Sequence, residues 1–314
     1  MPDEAVRRGR RRRGKRGIAG WAMSAPALSA LGLFLVLPLL VALWLSLFNV
    51  HLNSVRPPQF VGLEQYRRIF FDPDLGAQFR GALLNNVMFA LAVVPLQTAL
   101  ALGVALLLNQ KLRGMAVFRT FFFMPVVFPM TLVAVVWRII YARDDSGLLN
   151  AALHALTFGH FEAHDWLGDP ATALASVVVL SIWQGVGFQT VIILAGLQGI
   201  PPSLYEAAAV DGATRWQRFR YVTLPGLRPT LVFVTTVTTI LAFRLFDQVY
   251  VLIRGGGLHA ASTHTVLYDA VTTAFEGQGD VGRASAITLV FFVIVLALTL
   301  LQRALLTAER KAGT

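Results

Sequence analysis

The chain has 314 residues, 56% of them hydrophobic and 14% charged, with a mean hydropathy of +0.63 and a net charge of +10. A soluble domain carries about a quarter charged residues, so this composition cannot cover the surface of a soluble fold of this length. Cysteine is absent, which excludes a disulfide framework, a thiolate metal site and a cysteine nucleophile.

Residues 1–24 form a basic tail, in which Arg7, Arg8, Arg10 to Arg13, Lys15 and Arg16 stand against Asp3 and Glu4. Basic tails bind nucleic acid or anionic lipid in other settings. Here an apolar segment follows at once, so the tail reads as a cytoplasmic retention signal and no nucleic-acid partner is expected. Crossing a bilayer takes about 20 mostly apolar residues. Six such segments are predicted, over 26–48, 83–108, 121–141, 171–197, 230–252 and 284–301. The first has the basic flank of a signal peptide. Its apolar stretch is too long for one, and no A-x-A-like site follows Phe48, so it reads as an uncleaved span.

The loops set the orientation. Lys111, Arg113 and Arg119 follow the second span, and Arg215, Arg218, Arg220 and Arg228 follow the fourth, against Glu206 and Asp211. The loop after the third span carries Asp144, Asp145, Glu162, Asp165 and Asp169 against Arg143. The bias places both termini and the even-numbered loops inside. The first outer loop, with Arg56, Arg67, Arg68 and Arg80, weakens the pattern. An all-α membrane protein with helical spans follows, because lipid-exposed backbone must satisfy its own hydrogen bonds. Pro38, Pro95, Pro125 and Pro129 lie inside spans. They serve packing geometry first and hinges second.

The loop between the fourth and fifth spans reads as two short helices around a turn. Ser203 and Glu206 have capping-box spacing, Ala207 to Ala209 favour helix, and Gly212 suits a left-handed helix end. Thr214 is placed to cap the second helix and Pro225 to stop it. The run Glu206-Ala207-Ala208 with Asp211-Gly212-Ala213, then Leu224-Pro225, resembles the EAA motif of ABC importer permeases. The resemblance implies a six-helix type I importer permease fold, with Glu206, Ala207, Ala208, Asp211, Gly212 and Ala213 as the coupling helix that docks on an ATPase. In that setting Glu206 meets an ATPase arginine, while in the free chain it can cap its own helix.

Further runs resemble the sugar permeases of that family. These are Val94-Pro95-Leu96-Gln97-Thr98-Ala99-Leu100-Ala101-Leu102, then Leu112-Arg113-Gly114, Phe118-Arg119-Thr120 and Phe123-Met124-Pro125. Another is Phe246-Asp247-Gln248-Val249-Tyr250-Val251-Leu252, with Gly255-Gly256-Gly257 after it. Leu258 stands where the family usually has proline. The expected organisation is a tail (1–24), a first span with its outer loop (25–82), a permease core (83–303) with the coupling loop at 199–227, and a second tail (304–314).

None of Lys15, Lys111 and Lys311 is followed by Ser or Thr, so no P-loop exists. The chain is expected to be no enzyme and to hold no cofactor or metal. His51, His154, His160, His164, His259 and His264 fall in predicted outer loops and read as solvated. Asn85, Asn86, Gln97, Gln184, Gln189, Arg244, Asp247 and Gln248 fall within spans, where polar groups face other helices or a wet cavity. The lone amides read as interhelical glue. Arg244 and Asp247, spaced i and i+3, form either a structural pair on one face or part of a substrate cavity. Gln184, Arg244, Asp247 and Gln248 are the candidate substrate path. Arg138 is expected to snorkel.

The resemblance implies alternating access for a carbohydrate or related polyol. Its partners are an ABC ATPase dimer, an extracytoplasmic solute-binding protein and a second, non-identical permease, in the cytoplasmic (inner) membrane of a prokaryote. An ion-driven secondary transporter and a non-transporting scaffold are the rival readings. Both leave the EAA run unexplained.

Overall fold

The computed structural model describes residues 21, 23–55, 57–110, 115–144, 146–254, 259–276 and 279–312. The basic tail as far as residue 20, Arg56, residues 111–114, Asp145 and residues 255–258 lie outside them. Helices dominate among the described residues, with one two-stranded antiparallel sheet, β1 (Phe48–Asn49) on β2 (Gln59–Phe60).

The first span is α1 (Met23–Leu45), apolar and with no buried residue, with its contact made to the last helix. A short helix, α2 (Glu64–Phe71), leads into α3 (Pro73–Leu108). Asp72 starts α3 by accepting from the Asp74 and Leu75 backbone N–H groups, each at 3.0 Å. Pro73 follows at the first helical position, where no N–H is needed. The 36 residues of α3 make about 54 Å of helix, well beyond a hydrocarbon core of about 30 Å. The helix therefore begins ten residues before the expected Leu83, and it runs unbroken through Pro95.

The third predicted span is not one straight helix. It splits into α4 (Met115–Val127) and α5 (Met130–Ile140), with a bend of 105° between them. Pro129 is the N-cap of α5 in an extended conformation. A residue before proline is pushed out of the helical region, so Phe128 ends one helix as Pro129 begins the next. Then come α6 (Leu148–Leu156), α7 (Ala173–Gln198), α8 (Pro202–Val210) and α9 (Arg215–Arg218).

A π-turn (Phe219–Thr223) joins α9 to α10 (Leu224–Phe243). Pro225 does not stop the helix as the sequence suggested. The π-turn shifts the bonding so that Leu224 N–H reaches Phe219 O, and Pro225 falls in the first turn of α10, where its missing donor is tolerated. After α10 come α11 (Asp247–Arg254), α12 (Ala260–Thr263), α13 (Val266–Phe275) and α14 (Val281–Ala312). Among the described residues five helical stretches are long and apolar enough to cross a membrane, Arg215–Arg254 counting as one of them, and the bent pair makes a sixth.

Helices α3, α7 and α10 pack on one another, with α4 against α7, α5 against α11 and α13 against α14. Two apolar clusters result. One lies at the N-terminal end of α7 and includes Phe89, Val93, Leu180, Ala242, Leu245 and Val249. The other lies at its C-terminal end and includes Ala101, Ala105, Ile193, Leu197, Leu227 and Val234. The fully buried Ala101 and Ala105 let the α3 backbone approach its neighbours closely. A polar layer separates the clusters. On α3, Gln97 stands midway between Val93 and Ala101. On α10, Thr238 stands midway between Val234 and Ala242.

Candidate functional site

The loop after α7 is built from backbone geometry. Pro201 is the N-cap of α8, and Pro202 occupies its first turn. Ser203 is therefore already inside the helix, no side chain caps it, and the expected Ser203–Glu206 capping box is not formed. The end of α8 follows expectation. Gly212 has φ +74°, its N–H reaches Ala209 O at 3.1 Å, and Ala213 N–H reaches Ala208 O at 2.9 Å. This is the pair of bonds by which a left-handed residue closes a helix.

Thr214 then caps α9 in a reciprocal box with Gln217, at 3.3 and 2.7 Å. Arg218 Nε donates to Ala213 O at 3.1 Å, and the Tyr205 and Thr223 hydroxyls meet at 3.0 Å. The loop is thus stiff, yet α8 and α9 bury no residue. Val210 is 88% and Trp216 67% exposed. Ala207, Asp211 and Glu206 are exposed and Ala208 and Ala213 half-buried. The Glu206 carboxylate has no ion pair or hydrogen bond among the described residues.

Two cavities follow the polar layer between α3, α7 and α10. One, of about 270 Å³, is lined by Gln97, Ser181, Gln184, Arg244, Asp247 and Gln248 among others. The second, of about 310 Å³, is lined mainly by apolar groups, including Val126, Phe188, Ile192, Val234 and Val237. Gln97, Gln184, Gly185, Thr238 and Leu241 line both.

All four residues of the expected substrate path thus come together, but not as one helix face. Arg244 is the C-cap of α10, residues 245–246 are non-helical, and Asp247 opens α11. The break removes the i, i+3 geometry, and no ion pair joins the two side chains among the described residues. Each is exposed and lines the polar cavity on its own.

Most of the lone amides are glue. Asn85 donates to His264 O at 3.0 Å. Asn86 donates to Phe243 O at 3.2 Å and accepts from Val266 N–H at 3.0 Å. Gln189 donates to the Thr238 hydroxyl at 2.6 Å, Gln248 to the Ser181 hydroxyl at 3.1 Å, and Gln184 to Phe128 O at 3.3 Å. Gln97 departs from the pattern. It is 6% exposed, and its amide makes no hydrogen bond among the described residues.

The histidines are less solvated than expected. His164 Nε2 lies 3.4 Å from Asp169 and 3.2 Å from the Thr172 hydroxyl, and His51 Nε2 lies 3.9 Å from Asp280. His154 and His160 are exposed. His264 Nδ1 lies 3.8 Å from Asp269, a buried carboxylate that sequence reasoning passed over. Asp269 stands on α13, outside the candidate spans. Burial pushes its carboxyl up to about 6, against the opposing pull of His264, a hydrogen bond from Gln78 and the charge of Arg283. No group of three or more metal-ligating side chains is found among the described residues.

Residues 97–311 match the family described as "Binding-protein-dependent transport system inner membrane component". The chain is 36% identical over 281 residues to the trehalose/maltose transport system permease protein MalF of Thermococcus litoralis, covering 90% of this chain and 91% of that one. It is 32% identical over 286 residues to the lactose transport system permease protein LacF of Rhizobium radiobacter, covering 91% and 93%. In fold it is similar to a chain of a bacterial ABC transporter involved in the import of the acidic polysaccharide alginate. That match has a TM-score of 0.78 at 20% identity and covers 94% of this chain and 96% of the other.

Proposed function

The chain belongs to the family of binding-protein-dependent transport system inner membrane components, and from that premise we propose that it forms half of the translocation path of an ATP-driven importer for a carbohydrate or related polyol. A transport permease is not an enzyme, and here ATP hydrolysis falls to a separate ATPase dimer. A soluble binding protein delivers the solute, and a second, non-identical permease completes the path. The membrane is the cytoplasmic membrane of a prokaryote, with both termini on the ATPase side. Residues 25–82 hold the first span, 83–303 the permease core and 199–227 the coupling loop.

One observation carries the coupling assignment. The α8–α9 loop is rigid in its backbone and leaves Glu206, Val210 and Trp216 exposed, with the Glu206 carboxylate in no ion pair or hydrogen bond among the described residues. Closure of the ATPases pushes on Glu206, Ala207, Ala208, Asp211, Gly212 and Ala213. Because the π-turn runs straight into α10, a displacement of the loop reaches the cavity-lining Thr238 and Leu241 along one helix. Coupling needs different contacts in the two states, and the break at Arg244 gives α10 and α11 freedom to move separately.

The polar cavity suits a hydroxyl-rich solute, since Gln184, Gln248, Arg244 and Asp247 offer it donors and acceptors. Relatives named for trehalose, maltose and lactose transport support the substrate class. The similarity to an alginate importer solved with a pentasaccharide-bound periplasmic protein supports the binding-protein partner.

The test is Glu206→Lys beside Glu206→Gln, with ATPase co-purification and sugar uptake measured together. Reversal of charge should abolish co-purification by repelling an arginine on the ATPase, while membrane insertion is kept. Loss of charge alone should uncouple hydrolysis from uptake. Normal assembly and uptake in Glu206→Lys would remove the coupling role.

A further inference from the structure

Gln97 sits where the two cavities meet and lines both. Its neighbours one turn away on α3, Val93 and Ala101, belong to separate apolar clusters. It is therefore the polar group of α3 at the waist of the path. Glutamine offers two donors and two acceptor lone pairs, and a buried amide without partners is destabilising by about 1–3 kcal/mol. Of the other waist amides, Gln184 donates to a carbonyl and Gln189 to a hydroxyl, while Gln189 Oε1 stays buried without a partner. Gln97 makes no such bond among the described residues, although it is 6% exposed.

The helix opposite is shaped around it. A Cβ on Gly185 would lie 2.5 Å from Gln97 Nε2 and 2.9 Å from its Cδ and Oε1. Glycine in a helix interior is unfavourable by roughly 0.5–1 kcal/mol relative to alanine, and here it leaves a notch in which the amide rests. An unpartnered amide on a residue 6% exposed, whose polar end keeps its accessible surface between two chambers, is an incomplete binding group.

We infer that Gln97 contacts the solute at the waist, exchanging hydrogen bonds with its hydroxyl groups, and that Gly185 keeps the space this requires. The inference rests on the transport reading above and adds a specificity-determining residue to it. A neutral polyhydroxyl solute fits the chemistry. A hydroxyl both donates and accepts, as the amide does, and the apolar lining from Leu241 and Val237 suits the C–H faces of a sugar ring.

The experiment uses proteoliposomes holding the complete importer with its binding protein, with tritiated trehalose, maltose and lactose as probes. A wild-type assembly that moves none of them breaks the functional reading itself, and this inference falls with it. With a transported probe, Gln97→Leu should lower uptake about two- to tenfold, the worth of one neutral hydrogen bond. It should also narrow the discrimination between the probe and its deoxy analogues.

Gly185→Ala should produce the same loss by displacing the amide, and the double variant should be no worse than either single one. A packing role would instead reduce the amount of assembled complex and leave the analogue preference unchanged. That result, or wild-type uptake and preference in Gln97→Leu, overturns the inference while the function stands. Because the chain has no cysteine, Gln97→Cys introduces its only thiol. The probe should slow reaction of that thiol with a water-soluble methanethiosulfonate during turnover. Equal labelling with and without probe overturns the contact even if the leucine variant fails to assemble.

Discussion

At the N-terminal end of α7 the chain satisfies its polar groups across long sequence separations, whereas at the C-terminal end the α8–α9 loop satisfies its backbone within a few residues and turns its side chains outward. Asn86 bridges partners 157 and 180 residues away, and Thr265 Oγ1 donates to Leu245 O at 2.8 Å. The α8–α9 loop relies on bonds spanning three to five residues around Gly212 and Thr214. The first end draws its stability from tertiary contact inside the chain. The second has a fixed shape that buries no residue of α8 or α9 and leaves Glu206, Val210 and Trp216 exposed, as expected of a docking surface. Damage at the two ends should therefore be read by different measurements, folding at one and coupling at the other.

The largest effect is expected at Asn86. Replacing it by Leu leaves Phe243 C=O and Val266 N–H unpaired in a buried site, each worth about 1–3 kcal/mol. Thermal unfolding of the purified chain should show a loss of about 2–4 kcal/mol. A shift near zero would mean that this end is not held by its long-range bonds.

Asp269 comes next, with the opposite sign. Its carboxyl is raised by burial to about 6, from an unfolded value near 3.9. The native state therefore binds the extra proton between those values, and stability falls as pH rises through that window. The contribution is present in full below about pH 4 and lost above about pH 6. Asp269→Asn should stabilise the protein at pH 7.5 by about 2 kcal/mol and flatten melting temperature against pH between 4 and 6. His264, Gln78 and Arg283, which face this carboxyl from the start of α13, from α3 and from α14, are unchanged in that comparison. A steeper profile in the variant would sink the assignment.

The smallest change in folding energy belongs to Gly212. A Cβ there meets nothing within 4 Å, so Gly212→Val suffers only from its left-handed φ of +74°, a local cost of about 1–2 kcal/mol. The melting temperature should barely move, because the loop buries nothing. Uptake should drop about tenfold as the angle between α8 and α9 changes. An unfolding defect with normal uptake would reverse the contrast between the two ends.

Much of the molecule was legible from local chemistry. Apolar runs of bilayer length located the spans. The left-handed turn at Gly212 and the cap at Thr214 followed from residues that interact within one helical turn. Local reasoning failed where a neighbouring element set the boundary. The Pro201-Pro202 pair started α8 earlier and took Ser203 out of the cap position, and the π-turn absorbed Pro225 into a continuous helix. Pro95 and Pro129 show the same limit. Proline weakens a helix at both sites. Packing against α7 and α10 accompanies continuity at the first, while the second coincides with a 105° bend.

Composition, hydropathy and the EAA run determined by themselves that this is a helical membrane permease, because the bilayer constrains every span in the same way regardless of its neighbours. Only the tertiary structure decided which polar residues are glue and which face the path. Asn86, Gln97, Gln189 and Asp269 look alike in sequence, as polar groups in apolar helices. Their roles depend on what the facing helix presents: a free carbonyl, a notch at Gly185, a hydroxyl at Thr238 or a buried setting shared with Gln78 and Arg283. A partner on another helix, more than a hundred residues away for Asn86, leaves no local trace, since side-chain hydrogen bonding is short-ranged in space and indifferent to distance along the chain.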